Sequence, residues 1–452
     1  MAMIDPSRTT SLVGSDIGHG YSKWSGAAVG SDGSNIYGIP SCARRVMKFN
    51  TVDNSRLLIG PDLGNHGDKW SGGTNDGEGT VYCAPNCSNQ ILKIDTRSNI
   101  VTLLDVVLPE SGRFKWSSGS LALDGCIYFA PASARRMLKL DPSNDSVSSV
   151  GDDLGNGFNK FVGVMAGMDG CLYGIPCFTK RIFKYDPKRG TTSFIENGDE
   201  DEDSMEGFMY CGGNGVLGRD GHIYASQDDG RLLKIDTTNN SFSSVGISNK
   251  SNSRGYGGWG DAILGIDGCI YCMPYNASHT LKYDPESGIS CEIGNDLGNG
   301  LEKWYGGALA LNGIIYCIPY NANRILTIHP FKEFAMTLAD NVERYPEKLG
   351  LLFQHNDVIN TKNGANEPST RFQSSVAKYG PLRIFHVLDK CIPLGTDMCV
   401  SGTNTNTYSL PSFMVAASCD NSAVSVVYHF LRKDPSVCCT VRDSFVRPGS
   451  PL

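Results

Sequence analysis

A block of about 45 residues occurs seven times in succession in this chain, and a period of that length restricts it to an array or a closed ring of small β-sheets. The clearest copy runs from Lys115 to Asp141, KWSSGSLALDGCIYFAPASARRMLKLD. It holds an apolar run, an Asp-Gly turn, an Ile-Tyr pair, a loop opened by Pro, and an apolar-Lys-apolar-Asp segment. Tyr37, Tyr82, Tyr128, Tyr173, Tyr224, Tyr271 and Tyr316 mark one position in each unit, at intervals of 45, 46, 45, 51, 47 and 45 residues. The two longer intervals put small insertions on either side of the fifth unit.

Each unit predicts four short strands. In the third, strand a is Gly119 to Leu123, and Asp124-Gly125 is a two-residue hairpin turn of a favoured type. Strand b is Cys126 to Ala130, Pro131 to Arg135 form a loop, strand c is Arg136 to Leu140, and strand d is Ser146 to Val150. The turn recurs at Asp32-Gly33, Asp169-Gly170, Asp220-Gly221, Asp267-Gly268 and, as a variant, Asn312-Gly313. Four antiparallel strands repeated seven times describe a mainly β fold, a seven-bladed β-propeller. The segment Thr9 to Trp24 resembles the tail of a unit, as in Ser146 to Phe161. An N-terminal strand is therefore expected to complete the last blade, which removes two open sheet edges.

Residues 9–330 are thus read as the propeller. From Phe331 the pattern changes: 331–353 and 372–391 carry helical apolar spacing, with a polar linker between them. A small α-helical module is expected over 331–433, followed by a loose tail over 434–452. Gly is 53 of 452 residues, above the usual share of about 7%, and these glycines fall mainly in turns between short apolar runs. A net charge of −7 lacks the basic footprint of a nucleic-acid binder. No basic and apolar leader opens the sequence, and no apolar run approaches the roughly 18 residues of a membrane span. Cytoplasmic residence is the expectation, with neither a nucleic-acid nor a membrane partner. Six of the 16 Cys recur at two repeat positions (Cys126, Cys171 and Cys269; Cys83, Cys272 and Cys317), so most are read as buried thiols on strands.

The D-G-x-[IV]-Y element and the L-K-[IL]-D-[PT] strand, as in Asp124 to Tyr128 and Leu138 to Asp141, resemble the propeller group that includes Kelch, NHL and streptogramin-lyase-like repeats. The resemblance implies the fold. It departs from Kelch in that Pro follows strand b in six of seven units, where that family has Gly-Gly. No His-Glu-His set matches the lyase residue by residue, so no catalytic residue is carried over. Leu410 to Lys433 resembles one ankyrin helix pair, with Pro411 opening its first helix.

The d-to-a and b-to-c connections are expected on one rim. The first repeats an Asp-[Ile/Leu]-Gly motif, starting at Asp16, Asp62, Asp153 and Asp296. The second places Arg45, Gln90, Arg136, Arg181, Arg231, His279 and Arg324 at the start of strand c. Turned toward the axis, this series makes a ring of donors for an anionic or acidic partner. Paired with Asp residues of neighbouring blades, it only spaces the blades. The recurring Lys48, Lys93, Lys139, Lys184, Lys234 and Lys282 of strand c are expected to cover apolar surface between blades. Trp24, Trp70, Trp116 and Trp304, each preceded by Lys, are expected to accept cation–π contacts.

Cys269 and Cys272 have redox spacing but fall on opposite faces of a strand. The acidic run 199–206 lacks calcium-loop spacing and reads as a solvated insertion. His19 and His66 sit in equivalent rim loops. No Walker loop, H-E-x-x-H or Ser-His-Asp signature is present, and no cofactor or metal is implied. The functional expectation is a binding or scaffold protein that uses this rim for another protein, with a small anionic ligand as a second candidate. The alternative is a lyase or hydrolase acting on a small or carbohydrate-like molecule in the axial pocket, and a purely structural repeat protein is the third option.

Overall fold

The computed structural model describes residues 9–195, 211–246 and 258–330, and the backbone of 397–401 and 407–411. The chain divides into two compact units, Met1–Pro330 and Phe331–Leu452. Strand β1 is Thr10–Val13. Blade 1 is β2 to β5 (Trp24–Val29, Asn35–Pro40, Val46–Asn50, Arg56–Ile59), and blade 2 is β6 to β9 (Trp70–Asn75, Thr80–Pro85, Leu92–Asp95, Ile100–Leu103). Blade 3 is β10 to β13 (Trp116–Leu121, Ile127–Pro131, Met137–Asp141, Ser146–Val150), and blade 4 is β14 to β17 (Phe161–Ala166, Leu172–Pro176, Ile182–Asp186, Thr191–Ile195). Blade 5 is β18 to β21 (Val216–Leu217, Ile223–Ser226, Leu232–Asp236, Ser241–Val245), and blade 6 is β22 to β25 (Trp259–Leu264, Ile270–Pro274, Thr280–Asp284, Ile289–Ile293). Blade 7 takes β26 to β28 (Trp304–Leu309, Ile315–Pro319, Ile325–Ile328) and is completed by β1, with Thr10 opposite Ile328 and Val13 opposite Ile325. Seven four-stranded antiparallel sheets make a seven-bladed β-propeller.

The Asp-Gly turns work as their chemistry requires. Gly125 holds φ +78, a left-handed conformation that costs glycine nothing, and Asp124 Oδ1 accepts the Cys126 N–H at 3.1 Å. Strand a begins at Trp116, three residues before the sequence expectation, because Trp116 pairs with Pro131 and a β-bulge then breaks the ladder between Ser117 and Gly119. The bulge hides the strand's start by interrupting its alternation. The same irregularity follows Trp24, Trp70, Phe161, Trp259 and Trp304.

The core lies between blades. Trp116, Ile127 and Leu138 of blade 3 pack with Tyr82 and Ile91 of blade 2, and Trp24 and Phe49 of blade 1 pack with Tyr316 and Ile325 of blade 7 to close the ring. Each blade buries both faces against its neighbours, so strands b and c read as nearly continuous apolar runs.

In the second unit, β29 (Asp397–Ser401) and β30 (Thr407–Pro411) form an antiparallel hairpin with Met398 opposite Leu410. Pro411, expected to open an ankyrin-like helix, ends β30. The helices expected over 331–353 and 372–391, the rest of the ankyrin-like pair, the tail and the acidic run 199–206 lie outside the described residues. No helix among the described residues is long and apolar enough to cross a membrane.

Candidate functional site

A Lys-Trp pair shapes the rim where the d-to-a and b-to-c loops meet. Trp24, Trp70, Trp116, Trp259 and Trp304 open the innermost strands and are buried. Each indole N–H donates to the main-chain carbonyl that starts strand c of the same blade: Arg45, Gln90, Arg136, His279 and Arg324, at 2.8 to 3.1 Å. The bond needs the backbone at that position and is indifferent to the side chain. The cation–π contacts expected of these indoles are made by tyrosines instead.

The lysines before the aromatic residues, Lys23, Lys69, Lys115, Lys160 and Lys303, are buried and make no ion pair among the described residues. Each ammonium donates to the carbonyl three residues back (Gly20, His66, Gly112, Gly157, Gly300) at 2.8 to 3.3 Å. Burial lowers all five from the usual lysine range, to about 8 for Lys23 and Lys303. The lysine thus ties its own loop into a tight curl. Within each curl the residue just before the lysine is left-handed: Ser22 (φ 48), Asp68 (φ 54), Phe114 (φ 54), Asn159 (φ 45) and Glu302 (φ 56). Non-glycine residues reach this region at a cost, and such strain concentrates at functional sites.

Three positions per blade then converge on the axis: the left-handed residue before Lys, the residue after Trp, and the residue after the Pro of strand b. They line an open recess of about 160 Å³. Asp68, Phe114 and Asn159 come from the first position, Ser25, Ser71, Ser117, Val162 and Tyr305 from the second, and Ser41, Asn86, Ala132 and Tyr320 from the third. Trp70 and Phe161 complete the wall. Asn86 spends its amide N–H on Trp116 O at 3.0 Å, and Ser117 its hydroxyl on Phe161 O at 2.9 Å. Tyr275, Tyr305 and Tyr320 cluster on one side with ring centroids 5.6 to 5.9 Å apart. Burial pushes the Tyr320 hydroxyl up to about 12. Across the mouth stand Phe114, Phe158 and Phe178, with Phe158 60% exposed.

Beneath the recess, the second residue after each aromatic is turned inward by the bulge. These residues are Gly26, Gly72, Ser118, Gly163, Asp261 and Gly306, with Asn214 at the matching place in blade 5. The waist is tight: a Cβ on Gly26 would stand 2.9 Å from Gly72 Cα, and one on Gly163 would collide with Asn214 Oδ1. Asp261 Oδ1 accepts the Asn214 N–H at 2.8 Å. Asp261 is partly buried, and the loss of solvation at this waist pushes its carboxyl up to about 7.

The residues expected to form a binding ring sit elsewhere. Arg45 and Arg136 lie exposed on the outer part of the rim and donate to Gly60 O and Gly151 O of their own blades. Arg231 pairs with Asp229 at 2.7 Å, His279 lies 3.5 Å from Glu292, Gln90 reaches Leu104 O at 3.4 Å, and Arg181 stacks on Phe194. Arg324 is exposed and contributes its carbonyl to Trp304. None of this series lines the recess, because strand c is third from the axis. Asp16, Asp62, Asp153 and Asp296 each accept the N–H two residues on, from Gly18, Gly64, Gly155 and Gly298, which folds the loop that the lysine clamps. The expected Arg–Asp pairing between blades is replaced by pairs within a blade, made one residue earlier in sequence: Arg44 with Asp62, and Arg135 with Asp153. Each pair holds its carboxylate below the usual range. Asn323 donates to Asp16 at the matching place. His19 and His66 are exposed in these loops.

On the opposite rim the repeated Tyr, Asp and Lys form one network. Tyr128 donates to Asp124 at 2.7 Å and Lys139 reaches the same carboxylate at 3.1 Å, with its ammonium over the Tyr128 ring. Tyr173 and Lys184 meet Asp169 alike, and Tyr271 and Lys282 meet Asp267. In blade 2 the partner is borrowed: Tyr82 and Lys93 both reach Asp145 of blade 3, at 2.7 and 2.6 Å. Cys269 and Cys272 are buried in different inter-blade layers, and burial raises both thiols.

Neither a protein-family profile nor a curated protein matches this sequence. Solved structures do match in fold. A streptogramin B lyase structure superposes with a TM-score of 0.57 at 14% identity, over 72% of this chain and 99% of that one. A catalytically inactive virginiamycin B lyase of Staphylococcus aureus, solved with quinupristin, gives 0.57 at 15% identity over 71% and 99%. Kuenenia stuttgartiensis hydrazine synthase gives 0.52 at 12% identity over 71% and 97%. At these identities the likeness is one of fold, and it defines the class as a seven-bladed propeller.

Proposed function

We propose that this chain is a binding protein whose ligand site is the axial recess on the Lys-Trp rim, and that the recess takes a small polar molecule about the size of one sugar ring. The observation that carries this is the lining. Repeated residues (Lys, Trp, Tyr) hold the scaffold, while the positions facing the axis bring together the hydroxyls of Ser25, Ser71 and Ser117 with amide, carboxylate and aromatic groups that differ between blades. A concave site with apolar walls and a few directed polar groups is the usual form of a small-molecule site. Its volume of about 160 Å³ is close to that of an engineered cavity that holds one benzene, about 150 Å³. Saturation-transfer NMR with D-glucose, D-galactose and D-mannose tests this. Transfer to at least one sugar, abolished by Ser71→Trp, is expected; no transfer to any of them contradicts the assignment.

A second reading, binding of a protein on the same rim, is favoured by the exposed Tyr21, Phe158 and Phe178, since exposed aromatics mark contact surfaces. A partner held in place of a sugar would lose affinity with Phe158→Ala and keep it with Ser71→Trp. The lyases supply a comparison of fold alone.

A further inference from the structure

The polar groups beneath the recess are lopsided. Asp261 and Asn214 occupy adjacent blades at the waist. One Asp261 oxygen accepts the Asn214 N–H, and the other lies against the bare backbone of Gly306, the residue after Tyr305. Asn214 Oδ1 packs over Gly163, the residue after Val162, where it is buried and receives no hydrogen bond. Among the described residues, no cationic side chain contributes to the environment of Asp261. The buried ammonium groups on this rim, such as Lys23 and Lys303, are taken up by main-chain carbonyls. The waist therefore offers a carboxyl group and an amide oxygen without a donor, and the wall above adds the Asp68 carboxylate and the tyrosine rings.

We propose that the occupant of the recess carries a primary ammonium group, which enters first and donates to Asp261 and Asn214 at the waist, with Asp68 and the rings of Tyr305 and Tyr320 around it. This rests on the recess being the ligand site. An ammonium has three donors and no acceptor, which complements a site made of acceptors, and aromatic faces attract cations. A buried carboxylate without a counter-ion is costly, which is why Asp261 rises to about 7; the ligand supplies the missing charge. The thiols packed nearby, Cys272 and Cys211, are held neutral by burial and do not compete. Below that value Asp261 is mainly the neutral acid, so binding converts it to the carboxylate and releases its proton to solvent.

The test is calorimetry with D-glucosamine, D-glucose and N-acetyl-D-glucosamine, which share a ring and differ in the amine, at about pH 6, below the Asp261 midpoint, in two buffers of different ionisation enthalpy. Glucosamine is expected to bind about ten- to a hundredfold more tightly than glucose, the range of a hydrogen bond to a charged group, with release of close to one proton. Asp261→Asn should remove the preference and the proton release in a folded protein. Should that variant fail to fold, Asp68→Asn, on the open wall, is expected to reduce the preference. Equal affinity for the three sugars overturns the ammonium assignment and leaves the recess as a sugar site. Binding of none overturns both. A preference retained in a folded Asp261→Asn removes Asp261 from the site.

Discussion

If the repeated arginine position is scaffold, its side chain is dispensable and its carbonyl is not. Blade 3 allows this to be measured. Trp116 is fully buried, and its indole N–H donates to Arg136 O at 2.9 Å. Trp116→Phe keeps most of the ring but leaves that partly buried carbonyl without its donor, an expected loss of about 1–3 kcal/mol. Trp116→Ala also empties the space between blades 2 and 3, which raises the expected loss to about 3–5 kcal/mol. Arg136→Ala removes an exposed guanidinium and leaves the backbone acceptor in place, so the change should stay within about 0.5 kcal/mol. Urea denaturation of the three variants, compared at a common slope, reads these differences as midpoint shifts. If Arg136→Ala costs as much as Trp116→Phe, the side chain rather than the carbonyl is what the repeat preserves, and the reasoning fails.

Other consequences are measurable in the same way. Lys23 and Lys303 have folded values near 8 against 10.5 for the ordinary lysine, so the unfolded chain binds more protons in that window. Their contribution to stability therefore rises as pH climbs from about 8 to 10.5 and is lost as pH falls through 8; Lys23→Met/Lys303→Met should flatten this rise in denaturation midpoints. Tyr37, pushed up to about 12 by burial, acts oppositely above its ordinary value of 10, so stability should turn down at the alkaline end. Asp145→Ala strands both Tyr82 and Lys93 across a blade junction and should cost about 1–3 kcal/mol, whereas Ser143→Ala, on the exposed side of the same turn, should leave the midpoint in place. Deleting residues 1–14 removes β1 from blade 7 and exposes the edge of β28; a lower melting temperature and concentration-dependent association are expected, and an unchanged melt would show that the ring closes without it.

The propeller was legible because its grammar is local. Asp-Gly turns, the Tyr of strand b and the Lys of strand c recur at fixed offsets, and each does its work within one blade or across one junction. The borrowed partner in blade 2 was not legible, since Asp145 lies 63 residues from Tyr82. The recess proposed as the ligand site was not legible for a related reason. Recurrence drew attention to Arg45, Arg136 and Arg324, yet what recurs in a ring of similar blades is what every blade needs to stand. The recess draws on positions that do not recur: Ser41, Asn86, Ala132 and Tyr320 after Pro, and Asp68, Phe114 and Asn159 before Lys. Reading the positions that flank invariant residues would have found them. The lysine curl and the waist needed coordinates, because a lysine bonded to a carbonyl three residues back leaves no charge partner in the sequence.

The central claim is that the axis, and not the outer arginine series, holds the ligand. Calorimetric titration of D-glucosamine into the intact chain, Ser71→Trp, and Arg45→Ala/Arg136→Ala/Arg324→Ala tests it directly. The account predicts binding to the intact chain, none to Ser71→Trp, and unchanged affinity in the triple variant with all three folded. Binding that survives Ser71→Trp and disappears with the arginines would place the site on the outer rim and contradict it.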